Sequence, residues 1–158
     1  MNIYFAPMEG ITGYIFRNRF NQYFGKHIDR YFTPFIQAHE KCGLTSKEVN
    51  DILPEHNNGI NLIPQVMTNK ASEYFQIEPL IMDYGYTEIN LNFGCPSKTV
   101  TSRHRGSGIL SELDMIDNLL YEIFDKGKCS TYLFALVYCI FSNYYIGYMV
   151  LIFTAVFF

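Results

Sequence analysis

The residue types most capable of chemistry in this chain are gathered in the run Asn92-Phe93-Gly94-Cys95-Pro96-Ser97. A cysteine thiol can act as a nucleophile or as a proton donor, and an ordinary thiol is mostly protonated at neutral pH. Gly94 lets the backbone approach a ligand closely, and Pro96 fixes the chain on the other side of the thiol. A lone cysteine otherwise reads as a small buried hydrophobe. Cys95, just past an apolar strand-like run and inside Asn-x-Gly-Cys-Pro, is better explained by chemistry, whereas Cys42, Cys129 and Cys139 lack such surroundings and read as packing residues. Two other groups occupy comparable places: Pro7-Met8-Glu9-Gly10 after the first apolar run, and Gln65 at the end of the third. For Gln65 and Asn92 the local sequence fits a ligand contact and a plain polar strand end equally well.

Lys98, Arg103, His104 and Arg105 follow the thiol on what should be a mobile loop. They suit the phosphates of a nucleic acid, and they suit a solvated charged loop equally. His27, His39, His56 and His104 have no second ligand at a metal-binding spacing, so no metal is predicted.

The elements that must position these residues follow from periodicity. Short apolar runs of the kind found in buried parallel strands occur at Ile3 to Ala6, Tyr31 to Ile36, Ile60 to Val66 and Thr87 to Asn92. Their starts are roughly 27 to 30 residues apart, the length of one βα unit. Between them lie helix signals. Phe16, Phe20, Tyr23 and Phe24 form one stripe, with Thr12 as N-cap and Gly25 as stop. Thr45 and Glu48 form a capping box closed by Pro54. A third helix spans about Asn69 to Tyr84, with a kink or restart at Pro79 and a stop at Gly85. A fourth starts at Ser111, carries Glu112 and Asp114 in its first turn, and ends at Gly127. Strands alternating with helices imply a parallel sheet, with chemistry on the loops after the strands.

At 158 residues the chain can bury a core but is shorter than a complete α/β barrel, which takes about 250 residues. The expected fold class is therefore α/β: an incomplete (β/α)8 TIM barrel, its first four βα units followed by an apolar C-terminal tail. The net charge of −3 gives no overall nucleic-acid signature, so any RNA contact must come from a local patch. Met1 leads directly into a strand-like run with no secretory pattern, and the cysteines form no disulfide framework, which points to a reducing cytoplasm.

The ordered motifs resemble those of the tRNA-dihydrouridine synthases. The resemblance rests on Ala6-Pro7-Met8-Glu9-Gly10-Ile11-Thr12 with Phe16-Arg17, on Pro64-Gln65-Val66, and above all on Glu88 to Val100. Gly106-Ser107-Gly108 and Leu110 follow. It implies a non-covalent FMN at the barrel mouth, reduced by a nicotinamide nucleotide such as NADPH, that passes hydride from N5 to C6 of a uracil in tRNA. It also implies that Cys95 protonates C5, and that Pro7, Met8, Gln65 and Asn92 lie near the flavin ring or substrate. Lys98, Arg103 and Arg105 would then meet tRNA. Reaching the uracil requires taking it out of its stack, at a cost of about a few kcal/mol.

After Gly127 the resemblance stops. The family pattern continues with a lysine- and arginine-bearing fifth strand, phosphate-gripping loops after strands seven and eight, and a helical RNA-binding domain. Here residues 129–158 contain no charged residue, and ten of them are Tyr or Phe. Residues 1–128 are thus expected to be the N-terminal half of a flavin-binding barrel, and residues 129–158 a separate hydrophobic tail. The tail reads as out-of-frame translation, as a membrane-spanning segment flanked by Lys126 and Lys128, or as a fifth strand. Of these we favour the first. The expectation is a truncated, inactive copy. The alternatives are another FMN barrel of the dihydroorotate-dehydrogenase type, and a non-catalytic fragment held at a membrane by the tail.

Overall fold

The computed structural model describes residues 2–38 and 43–125. Along them strands and helices alternate: β1 (Tyr4–Phe5), α1 (Tyr14–Phe24), β2 (Arg30–Gln37), α2 (Ser46–Ile52), β3 (Leu62–Met67), α3 (Ala71–Met82), β4 (Asn90–Leu91), α4 (Lys98–Thr101) and α5 (Leu113–Asp125). The strands form one parallel sheet in the order β1-β2-β3-β4. This is the α/β class expected, the first four βα units of a (β/α)8 architecture. The chain divides into two compact units, Met1–Asn90 and Leu91–Phe158. The sequence-based boundary at residue 128, the tail 129–158, and Cys42, Cys129 and Cys139 all lie outside the described residues. Among the described residues no helix is long and apolar enough to cross a membrane.

In the first unit, all six residues of β3 are buried, as a parallel strand covered on both faces requires. Tyr31, Ile36, Ile52, Val66, Met67, Tyr74, Ile77 and Ile81 form the core around it. Pro34 and Pro64 sit inside neighbouring strands, where neither can donate to a ladder. The register records the consequence. Tyr31 pairs with Leu62 and Phe32 with Ile63, but the next pair is Phe35 with Gln65, so Thr33 and Pro34 oppose Pro64 alone. The result is a β-bulge at the centre of the sheet. The Gln65 amide donates to the Thr33 hydroxyl at 2.9 Å, which supplies a side-chain acceptor beside the bulge.

The capping box at the start of α2 forms as expected, with Thr45 N to Glu48 Oε2 at 2.8 Å and Glu48 N to Thr45 Oγ1 at 3.3 Å. Three helix details differ from the sequence expectation. The N-cap of α1 is Gly13, not Thr12, and its first amide, Tyr14 N, donates to Asp51 Oδ1 of α2 at 2.7 Å. A carboxylate from another helix thus does the work expected of a local cap and also meets the positive end of the helix dipole. Next, α3 runs through Pro79 without restarting, and Asp83 N reaches the Pro79 carbonyl at 2.9 Å. A proline this close to the C-terminal end removes one amide donor, and the flanking bonds hold the helix. Last, the aromatic stripe of α1 packs ring against ring, Phe20 lying 4.7 Å from Phe5 and 4.8 Å from Phe24, while Phe16, Tyr23 and Phe24 stay exposed.

What α1 buries instead is Arg17, at 0% exposure. Its guanidinium donates to the Thr12 carbonyl at 3.0 Å, to the Asp51 carbonyl, and to Asn57 Oδ1 at 3.0 Å, with the Asp51 carboxylate 3.6 Å away. Burial presses the Arg17 pKa below its usual value, and the Asp51 charge opposes that shift. Its Nε is buried without a hydrogen-bond partner. Close by, burial pushes the Tyr86 hydroxyl up to about 12, opposed by Arg17, and the hydroxyl donates to the Ile52 carbonyl at 2.5 Å.

In the second unit, Leu91, Phe93, Val100, Ile109, Leu119 and Ile123 are buried. A turn of 3-10 helix at Gly106–Ser111 leads into α5, which starts at Leu113, slightly after the expected Ser111.

Arg17→Ala leaves the Asp51 charge without its buried partner. Urea denaturation followed by circular dichroism should show a loss of about 3 to 5 kcal/mol. A second test uses pH. Because folding raises the Tyr86 pKa, the folded protein holds that proton more tightly than the unfolded chain. The Tyr86 contribution should therefore be complete below pH 10 and be lost as pH rises through about 12. Tyr86→Phe should make the fall in stability over that interval shallower in pH-dependent melts.

Candidate active site

The loop after β1 is built by the spacing of its own residues. The Met8 carbonyl accepts from Ile11 N at 3.1 Å, Thr12 N at 3.0 Å and Thr12 Oγ1 at 3.1 Å, while Met8 N donates back to Thr12 Oγ1 at 2.7 Å. Closing so tight a turn needs left-handed backbone at Gly10, where φ is 79°. Thr12, which does not cap the helix, therefore ties the loop onto itself, and its carbonyl is held in turn by Arg17. Pro7 is half-buried and Met8 is exposed, presenting an apolar surface at the end of β1. Glu9 pairs with Lys47 of α2 at 2.7 Å, a hydrogen bond that raises the Lys47 pKa.

Gln65 is 5% exposed near the end of β3, and its Nε2 donates to Asn90 Oδ1 of β4 at 2.8 Å. The bulge sets its backbone through Thr33. Thr33 and Glu9 also line a cavity of about 390 Å³, with Gln37, Thr45, Glu48 and Asp51 among its walls. Sequence reading missed Thr33 and Asn90. A signal for Thr33 existed, since Thr33-Pro34 in one strand and Pro64 in the next announce a break in the ladder. Asn90 begins β4, two residues before Asn92.

In the second unit, Asn92 uses its side-chain oxygen within its own loop: Gly94 N and Cys95 N both donate to Oδ1, each at 3.0 Å. This Asx-type turn aims the chain at Cys95, whose thiol is free and half-buried. The Cys95 carbonyl accepts from Ser107 N at 3.0 Å and Ser107 Oγ at 3.1 Å. Along the chain Ser107 is simply the middle residue of the run Gly106-Ser107-Gly108.

The cationic segment is not an open loop. Lys98 begins α4, Ser102 N bonds back to the Lys98 carbonyl at 3.1 Å, and Arg103 N to the Val100 carbonyl at 3.0 Å. Lys98 and Arg103 are exposed and Arg105 is half-buried. His104 adopts φ 52° and lies 3.4 Å from Glu112.

The model of the dihydrouridine synthase family matches residues 4–129. The chain is 27% identical over 121 residues to the tRNA-dihydrouridine synthase B of Pasteurella multocida, covering 77% of this chain and 35% of that protein. It is 28% identical over 129 residues to the tRNA-dihydrouridine(16) synthase of Pseudomonas putida, covering 78% and 39% respectively. A probable tRNA-dihydrouridine synthase of Staphylococcus epidermidis is 27% identical over 108 residues, with 66% of this chain and 32% of that protein covered. The chain thus spans less than two-fifths of the length of these three relatives.

Thr33→Val removes the acceptor of a buried amide while keeping the side-chain shape, so it should cost about 1 to 3 kcal/mol in urea denaturation. Thr33→Ser, which keeps the hydroxyl, should recover most of that loss.

Proposed function

The chain belongs to the dihydrouridine synthase family, and we propose that it carries the proton-donor half of an FMN-dependent enzyme that reduces uridine in tRNA to 5,6-dihydrouridine with NADPH. The observation that carries this reading is Cys95: a free, half-buried thiol in the Gly-Cys-Pro turn after β4, its backbone held on both sides by hydrogen bonds.

The residues available fit a planar, neutral heterocycle. Met8 and Pro7 offer apolar surface at the end of β1, and the mutually bonded Gln65 and Asn90 side chains bring amide chemistry of the kind that suits a flavin's pyrimidine edge. In this reading Pro7, Met8 and Gln65 would hold the ring, and Asn92 contributes by shaping the loop that bears the thiol. Bound there and reduced by NADPH, FMN would supply hydride chemistry toward uracil C6. The Cys95 thiol gives its proton to C5, so one hydride and one proton saturate the C5–C6 bond, and solvent reprotonates the thiolate. General acid work of this kind needs a positioned, protonated group. Lys98, Arg103 and Arg105 would meet tRNA phosphates while the uridine is drawn out of its stack. The setting is the cytoplasm, where a reduced thiol persists.

The test is a chimera in which residues 4–125 replace the matching segment of the Pasteurella multocida synthase, supplied with FMN, NADPH and an unmodified tRNA transcript. Dihydrouridine should form, counted by nucleoside mass spectrometry. Cys95→Ala should lower its formation by about 100-fold or more and leave flavin reduction by NADPH intact. Loss of both activities, or of neither, would remove Cys95 from the proton-donor role.

A further inference from the structure

A proton donor must hold its direction as well as its proton, and the structure contains a restraint on Cys95 that no motif names. The peptide on its N-terminal side is fixed by Asn92, whose Oδ1 accepts from Gly94 N and Cys95 N. The restraint on its C-terminal side comes from twelve residues further along. Ser107 donates both its amide, at 3.0 Å, and its hydroxyl, at 3.1 Å, to the Cys95 carbonyl. The chain beside Ser107 is pressed against the same group. Gly106 has φ 54°, and a Cβ built there would lie 2.6 Å from the Cys95 carbonyl oxygen and 3.0 Å from its Cβ. Pro96 restricts the peptide that follows.

We infer that Ser107 is a positioning residue for the Cys95 thiol, resting on the reading of Cys95 as proton donor. Bonds at the Cys95 amide alone would leave its carbonyl, and with it the Cα–Cβ direction, free to rock. The paired donors of Ser107 fix the second peptide plane, leaving side-chain torsion as the thiol's main remaining freedom. A displacement of about 1 Å at a reacting group can cost about 100-fold in rate, so a restraint of this kind bears on the chemistry without touching the substrate. All of these groups lie between residues 92 and 107, within one compact unit.

The test uses the full chain and needs neither flavin nor tRNA. Iodoacetamide labelling is followed over time at the Cys95 peptide by mass spectrometry, with the urea-unfolded chain as reference. Ser107→Ala keeps the amide bond and loses the hydroxyl bond, so the loop should open more often and Cys95 should be labelled about 3- to 10-fold faster. Ser107→Thr, which restores the hydroxyl, should return the rate to within about twofold of the original. A merely destabilising change would speed labelling in both variants. Labelling of Ser107→Ala at the original rate, or of Ser107→Thr as fast as Ser107→Ala, would overturn the inference. Labelling does not depend on turnover. A Cys95→Ala chimera that still makes dihydrouridine would sink the proton-donor reading alone, and an unchanged labelling rate would sink only the role of Ser107.

Discussion

The buried guanidinium of Arg17 is the interaction on which the first unit turns. A charge at 0% exposure is tolerated only where it is paired and hydrogen-bonded. Its partners come from three places in the chain: the Thr12 carbonyl, the Asp51 carbonyl and carboxylate, and the Asn57 side chain. Asp51 in turn caps the first amide of α1, the helix that carries Arg17. The helix and its counter-charge are therefore mutually dependent, and the loop after β1 is fixed beneath them. Because Thr12 links Arg17 to both polar groups of the Met8 backbone, the apolar surface at Pro7 and Met8 rests on the buried guanidinium.

The second constraint is the pair of prolines in β2 and β3. Neither can donate to the ladder, and the sheet responds with a bulge in which Thr33 and Pro34 face Pro64. Such a break would leave a buried amide at Gln65 short of an acceptor, and the Thr33 hydroxyl provides one. The Gln65 side chain is thereby presented to Asn90 on the next strand. Interrupting a ladder where a polar side chain must be aimed is a common use of bulges near functional sites.

Around Cys95 the same logic operates with shorter-range parts. Asn92 holds the amide side and Ser107 the carbonyl side, and a glycine stands where any Cβ would strike the Cys95 backbone. The thiol is therefore presented by a loop with little freedom, which suits delivery of a proton to a single carbon.

The sequence by itself determined what depends on neighbours along the chain. The βα rhythm follows from apolar runs at regular spacing, and the α2 capping box from Thr45 and Glu48 three residues apart. The glycine after Pro7-Met8 and the strand-end place of Cys95 were legible for the same reason. Only the tertiary structure decided contacts that depend on which elements become neighbours. Asp51 caps a helix thirty-seven residues away, a carboxylate no local pattern connects to Tyr14. Thr12 looked like a cap because its type and position fit one, yet the tight Met8 turn takes its hydroxyl first. Thr33, Asn90 and Ser107 are ordinary polar residues in one dimension. They acquire their roles because the sheet order and the return of the chain at residue 106 bring each one to a group that needs it. A hydrogen bond is satisfied by whatever lies within about 3 Å, and in this protein the decisive partners are set by the fold.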